Sequence, residues 1–409
     1  MDTPITLGRL ETLSIPDFMD VRTSAERVLG RIDASDDGPI LIFLAGVHGN
    51  ETSAIEALEA VWPALEPLAG QMNGSVLAVL GNRAALEQGR RFIDEDLNRI
   101  WTPERLQALE TLGEAGSPHS AETREQIALL QTLHPLVTRS HREVFLIDLH
   151  TTSAESAPFI VIGDTIRNRR FALKFHSPII LGLEERLRGT LLHYAGEMGI
   201  HSMAFEAGQH EAAQSLHNHI AAIWIALVNS GCLPESAVPD LAAHEETLQT
   251  VSRQIPRVFE FIYHYPIQPG ERFRMEPGFV NFQPVPRSRI LAHNGQGPIR
   301  SPYRGNVFMP LYQDQGSEGF FIIRPVNRVW LGISLRLRQL RLDRLLPHLP
   351  GIHRHPRNPN EIVIDRRVAR WLVVQLCHLL GYRRKLETPD TIIFIKRPFD
   401  LHGPGNGAA

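Results

Sequence analysis

In "LIFLAGVHGNE", residues 41–51, a run of apolar and small residues delivers His48 and Glu51 three positions apart. A second apolar run, "VFLIDLH", also ends in a histidine, His150. Two imidazoles and a carboxylate from two strand ends form the donor set of a catalytic zinc, which keeps a fourth position open for water. Gly49 lets the backbone turn tightly, and Asn50 is placed to cap a helix that opens with Glu51. Asp148 lies two residues before His150, so on a strand it shares a face with the histidine and can orient it. Taken singly, His48 reads as a capping or core histidine and Glu51 as an ordinary first-turn acid. Taken together with His150, they read as a metal site.

A metal-dependent hydrolase also needs a base. Glu206 ends the apolar stretch "SMAFE", where an unpaired carboxylate is costly to bury and tends to a raised pKa suited to proton transfer. The competing reading is a structural glutamate paired with an arginine. The segment "RRFIDEDLNR", residues 90–99, packs three arginines and three acids without an amphipathic period. It reads either as a mixed-charge surface loop or as an anion site. In the second case Arg91 and Arg99 bind the anion, Asn98 adds amide donors, and Asp94 or Asp96 braces them.

The elements that must position these residues alternate between residues 40 and 231. "ILIFLAGV", "SVLAVLG", "VFLIDLH", "PFIVIG", "PIILGL" and "SMAFEAG" have the length and composition of buried strands. Between them, "AIEALEAVWPAL", "ETREQIALLQTLHPLV", "GTLLHYAGEMG" and "HEAAQSLHNHIAAIWIALVNSG" carry helical spacing. This pattern predicts an α/β fold with a parallel or mixed central sheet and helices on both faces, and in such sheets function gathers at the carboxyl ends of strands. "CLPESAVPD" marks a boundary. The expected division is a catalytic domain over 1–234, a small all-β domain over 235–326 and a basic α+β extension over 327–409. The extension ends in "HGPGNGAA", which has the composition of a disordered tail.

The totals exclude several classes. In 409 residues, 42 Lys and Arg face 45 Asp and Glu, a net charge of −3 that gives no reason to expect nucleic acid or an anionic membrane as partner. Two cysteines, Cys232 and Cys377, support neither a disulfide framework nor a thiolate metal site. The first twenty residues hold acids and no signal-like apolar core, and no apolar run approaches the ~20 residues needed to span a bilayer. A cytoplasmic enzyme fits, and a homo-oligomer is left open. His210, His217 and His219 read as a polar helix side rather than a second metal cluster. The arginines of "LRLRQLRLDRLL" read as a solvated face over an apolar one.

Together these segments resemble the succinylglutamate desuccinylase/aspartoacylase family, relatives of the zinc carboxypeptidases. "GVHGNE" is similar to its first zinc motif, "DLHTT" to the segment with the third ligand and "FEAGQH" to the segment with the catalytic glutamate. "RRFIDEDLNR" is similar to its substrate loop, and the likeness runs over roughly residues 28–231. The resemblance implies a carboxypeptidase-like sheet, one zinc per chain on His48, Glu51 and His150, and Glu206 as base. It implies that Arg91 stabilises the oxyanion while Asn98 and Arg99 hold a substrate carboxylate, and that the β-rich segment shields the mouth. The substrate implied is a small N-acyl amino acid or related amide or ester with a free carboxylate. A carboxypeptidase-like enzyme on short peptides and a non-catalytic zinc-binding member of the fold are the alternatives. "AGEMGIHSMAFE" lacks the arginine that aspartoacylase carries about ten residues before its catalytic glutamate, so aspartyl specificity is not implied. Arg336, Arg338 or Arg341 of the extension would have to fold over the mouth to restore it.

Overall fold

The computed structural model of the chain describes residues 27–112, 120–138, 141–369 and 373–403. Most of the acidic N-terminal stretch and the tail from 404 lie outside the described residues. Eleven strands form one mixed sheet. In chain order they are β1 (Val28–Asp33), β2 (Ile40–Ala45), β3 (Ser75–Leu80), β4 (Val144–Thr152), β5 (Phe159–Ile162), β6 (Ile179–Leu181), β7 (His201–Gln209), β8 (Val258–Pro266), β10 (Pro284–Val285), β13 (Gly305–Phe308) and β14 (Glu318–Pro325). The spatial order is β1-β3-β2-β4-β7-β5-β6-β8-β14-β13-β10. The β3-β2-β4-β7 centre is parallel, and β5 enters antiparallel to β7.

Both faces of this centre are covered, which explains why its strands read as unbroken apolar runs. On β2, Leu41, Phe43 and Ala45 join one core and Ile40, Ile42 and Leu44 the other. Helices α1 (Ser53–Leu65), α2 (Arg83–Gln88), α3 (Pro103–Leu112), α4 (Ala121–Thr138), α5 (Ile166–Ala172), α6 (Leu191–Glu197), α7 (Ala213–Asn229) and α8 (Leu241–Ser252) follow in the chain. Helices α1 and α7 cover the first face through residues such as Leu58, Val61 and Ile223. Helices α4 and α6 cover the second through Ile127, Leu130, Leu191 and Tyr194. Strand β1 and helices α2, α3, α5 and α8 were not read from the sequence. They are short or weakly periodic, so local spacing does not announce them.

The sheet does not stop at the proline-rich turn after residue 231. Strand β8 adds to β6 in parallel, and β14, β13 and β10 continue outward antiparallel. Strands β9 (Arg274–Met275), β11 (Ile290–Asn294) and β12 (Gly297–Arg300) form a separate three-stranded sheet. The extension builds helix α9 (Arg328–Gln339), strands β15 (Ile352–His355) and β16 (Asn358–Asp365), helix α10 (Val373–Leu379) and strands β17 (Tyr382–Glu387) and β18 (Thr391–Lys396). Its four strands pair in the order β15-β16-β18-β17 around Ile362, Ile364 and Phe394.

The extension corrects the solvated reading of its arginines. Arg336 and Arg341 are exposed, but Arg338 is buried. Its guanidinium donates to Asp164 Oδ2 at 3.1 Å, to the Asp164 carbonyl at 2.8 Å and to Asp400 Oδ1 at 2.9 Å. Arg383 donates to Glu197 at 2.6 Å, and Arg397 pairs with Glu185. The basic excess after residue 327 is therefore partly neutralised by acids of the preceding segment. It does not fold over the mouth through Arg338. No helix among the described residues is long and apolar enough to cross a membrane.

Candidate metal centre

The three proposed ligands meet at the carboxyl ends of β2 and β4. Strand β2 ends at Ala45, and the turn after it brings His48 and Glu51 back over the sheet. Gly49 is required there, because a Cβ would stand 2.1 Å from the Ala85 carbonyl carbon on α2. Glu51 precedes the helix rather than opening it. The residue at the cap is Thr52, and Asn50 instead donates to Gln313 Oε1 at 3.3 Å.

The two histidines turn the same nitrogen onto one carboxylate. Nδ1 of His48 lies 2.8 Å from Glu51 Oε1, and Nδ1 of His150 lies 2.9 Å from Glu51 Oε2. Ligand atoms of all three residues fall within 4.8 Å of one another. The outer nitrogens are held as well, His48 Nε2 at 3.3 Å from Asp96 Oδ1 and His150 Nε2 at 2.8 Å from Asp148 Oδ2. A carboxylate behind each imidazole selects the tautomer that presents the opposite nitrogen to a metal. Two nitrogens, one carboxylate and acids behind them make a donor set that fits zinc.

Charge in the cluster follows from these contacts. Burial opposes ionisation of Glu51, yet the facing His48 and His150 imidazoles carry its carboxyl well below the carboxylate range. Burial likewise opposes a charged His150, but Asp148 and Glu51 outweigh it and hold the imidazole well above its usual value. Asp96, buried between His48, Arg91 and Arg99, stays well below the ordinary aspartate range because those groups outweigh the cost of burial.

Glu206 comes to the site through strand register. Strands β4 and β7 run parallel with His150 opposite Glu206. Met203, Phe205 and Ala207 belong to the core on one face, so Glu206 points to the other, the face it shares with Asp148 and His150. It is buried, and its Oε2 accepts no hydrogen bond among the described residues. Burial pushes its carboxyl up to about 8 against the pull of His150. No arginine lies within ion-pair distance of it among the contacts of the described residues, so the structural-pair alternative finds no support.

The substrate-loop segment surrounds the same point. Arg91 places Nη1 at 3.6 Å from Glu51 Oε1 and Nη2 at 3.2 Å from Asp96 Oδ2. Arg99 lines the cavity and donates to the Asn98 carbonyl at 2.8 Å. Asn98 turns its side chain to α6, where Oδ1 accepts the Leu191 N–H at 2.9 Å. Among the described residues Asp94 pairs with no arginine; it accepts the Ala121 N–H at 2.7 Å. The cavity holds about 70 Å³ and is roofed by Met309, Leu311, Gln313 and Glu318 from the β13–β14 region.

Several site residues escaped the sequence. Glu122 on α4 is fully buried and accepts backbone N–H groups from Ile93, Asp94 and Glu95 at 2.7, 3.0 and 3.2 Å, so it pins the loop that carries Arg91 and Arg99. From sequence it looks like any first-turn acid. His219 is buried rather than on a polar side; it contacts Ser53 Oγ at 3.1 Å and the His150 carbonyl at 3.2 Å. The shared helical face of Ser215, His219, Ala222 and Ala226 was a usable signal for this. His210 lies before α7 and contacts Thr151 Oγ1 at 2.7 Å on the cavity wall. Gln313 and Glu318 come from distant loop and strand positions that carry no local signature.

Residues 37–230 match the family model described as the succinylglutamate desuccinylase/aspartoacylase catalytic domain. Succinylglutamate desuccinylase from Pseudomonas paraeruginosa is 33% identical over 120 residues, which cover 29% of this chain and 33% of that protein. The enzyme of the same name from Photorhabdus laumondii is 29% identical over 206 residues, covering 48% of this chain and 61% of the other. The chain thus matches less than two thirds of the length of these relatives. A succinylglutamate desuccinylase/aspartoacylase structure from Rhodobacter sphaeroides superposes with a TM-score of 0.53 at 17% identity, over 73% of this chain and 88% of that one. A product-bound ectoine utilization protein EutE (DoeB) from Ruegeria pomeroyi gives 0.51 at 19% identity, over 72% and 87%. At such identities the likeness is one of fold. His48, Glu51, His150 and Glu206 all lie within the segment, residues 37–230, that is similar to the succinylglutamate desuccinylase/aspartoacylase catalytic domain.

Proposed function

We propose that the protein is a zinc-dependent amidohydrolase that deacylates small N-acyl amino acids, or related amides and esters, bearing a free carboxylate. The observation that carries this reading is the unpartnered, buried Glu206 carboxylate standing in register with His150. His48, Glu51 and His150 would hold the metal, which supplies Lewis acidity and acidifies water at neutral pH. Glu206 takes a proton at its free oxygen and returns it to the leaving amine. Arg91, held between Glu51 and Asp96, offers guanidinium N–H groups to the oxygen on which charge develops. Arg99, held by its bond to Asn98, takes the substrate carboxylate. The roof of Met309, Leu311 and Gln313 excludes water, and a cavity of about 70 Å³ favours a small acyl amino acid over a peptide.

The test is turnover of a panel of N-acetyl and N-succinyl amino acids by the zinc-loaded protein and by Glu206→Gln. The variant is expected to retain zinc while kcat falls by about 10²-fold or more. An amidated substrate is expected to lose roughly 2–4 kcal/mol of transition-state binding, because Arg99 then faces a neutral group. Between N-acetylaspartate and N-acetylmethionine, kcat/KM is expected to differ by less than about 10³-fold, since among the described residues the cavity wall offers no arginine beyond Arg91 and Arg99 for the extra carboxylate. Near-normal turnover by Glu206→Gln would sink the mechanism.

A further inference from the structure

A second cleft, of about 260 Å³, lies where the extension meets the catalytic segment. Glu184 and Arg384 of β17 line it, and Glu197 and Arg383 in its wall hold each other at 2.6 Å. The Glu184 side chain is only 4% exposed. Its Oε2 accepts no hydrogen bond among the described residues; the nearest ion-pair contact is His193 Nδ1 at 3.7 Å. The other oxygen, Oε1, has Arg397 Nε at 3.8 Å, so Oε2 is the buried acceptor left for a ligand's donor. Across the cleft, Arg384 holds Glu387 with one end and leaves Nε buried and unpartnered among the described residues. Arg188 stands exposed at the rim and makes no ion pair among the described residues.

We propose that this cleft is a second ligand site, built for a free α-amino acid, whose occupancy bears on the substrate loop. With Glu197 and Arg383 paired to each other, a lone anion would still meet Glu184 and a lone cation would still meet Arg384 and Arg188. A zwitterion answers both: its ammonium goes to Glu184 Oε2 and its carboxylate to Arg384 and Arg188. Trp101, Tyr194 and Ile395 supply apolar wall for a side chain. The link to the loop is direct. Gly189 lines the cleft, and a Cβ on it would stand 2.0 Å from the Arg99 carbonyl oxygen. The Gly189 carbonyl accepts the Trp101 N–H at 3.0 Å, and two residues on, Leu191 donates to Asn98. A ligand seated here therefore acts on the segment that carries Arg99, and its kinetic mark is a changed KM.

The site is distinct from the proposed catalytic one, and its test is binding rather than turnover. Zinc-loaded full-length protein is titrated calorimetrically with L-alanine, L-glutamate and L-lysine, and with L-lactate and ethylamine as single-charge probes. At least one amino acid is expected to bind, with lactate and ethylamine failing. Arg188→Ala and Arg384→Ala are each expected to weaken binding by about tenfold or more, the loss of a charge-assisted hydrogen bond. Arg99→Ala is expected to keep it. No binding at millimolar amino acid, equal binding of lactate or ethylamine, or unchanged binding in either cleft variant overturns the proposal. So does loss of binding in Arg99→Ala, which would put the amino acid in the catalytic cavity.

Discussion

Two imidazoles and one carboxylate at this centre occupy each other's lone pairs and protons, so metal binding must compete with a proton. Asp148 and Glu51 together raise His150 well above its usual value, burial notwithstanding, which favours the protonated imidazole in the metal-free protein. Zinc needs the neutral imidazole and releases the proton on binding. The sign follows: apparent zinc affinity rises with pH until His150 is deprotonated in the metal-free protein, and falls as pH drops. Competition with a zinc-sensitive dye at pH 6.5, 7.5 and 8.5 should show affinity climbing by up to about tenfold per unit. Asp148→Asn removes one source of the raised pKa and should flatten that slope. A pH-independent affinity would mean that His150 is not a ligand.

The loop of residues 90–99 is held less by its own charges than by one buried acid on a neighbouring helix. Glu122, fully buried, collects three backbone N–H groups and the Asn82 amide at 3.0 Å. Glu122→Ala leaves those donors unpaired, at a cost of roughly 1–3 kcal/mol apiece before relaxation. The expected outcome is a lower Tm, unchanged zinc content, and a kcat/KM loss of about tenfold or more as Arg91 and Arg99 lose their setting. Zinc loss in this variant would show that the acid supports the metal ligands instead of the loop. Sequence could not separate Glu122 from an ordinary first-turn carboxylate, because both readings predict an acid at that position.

For the whole molecule, the extension is a body with its own four-stranded sheet and a charged, buried seam. Asp164 gathers Arg169, Arg338 and Arg397, and together they hold it far below the aspartate range although burial opposes this. Asp400 links Arg338 to the first turn of α5, accepting the Ile166 N–H at 3.0 Å. Breaking such a seam from one side strands the other charges. Arg338→Ala should therefore cost roughly 3–5 kcal/mol, and Arg338→Met, which is similarly uncharged, should be no better unless the acids are neutralised too. Thermal unfolding and limited proteolysis near residue 327 would read the effect. An unchanged Tm with intact docking would show that apolar contacts hold the extension.

Sequence alone located the candidate ligands and the candidate base in the chain. His48 and Glu51 follow an apolar strand and His150 and Glu206 stand toward the carboxyl ends of two others, and strand periodicity is a local property that neighbouring residues state without help. The α/β class was legible for the same reason, since a strand buried on both faces must be a continuous apolar run. Tertiary structure decided everything that rests on pairing between distant segments. It put His150 opposite Glu206, sent Asn98 toward α6, and made His219 a buried support for the His150 backbone. It also turned Arg338 from a surface charge into the bolt of a seam. A side chain's type limits what it can bond to, but its partner is chosen by register, crossover and burial, and those are settled only when the sheet closes.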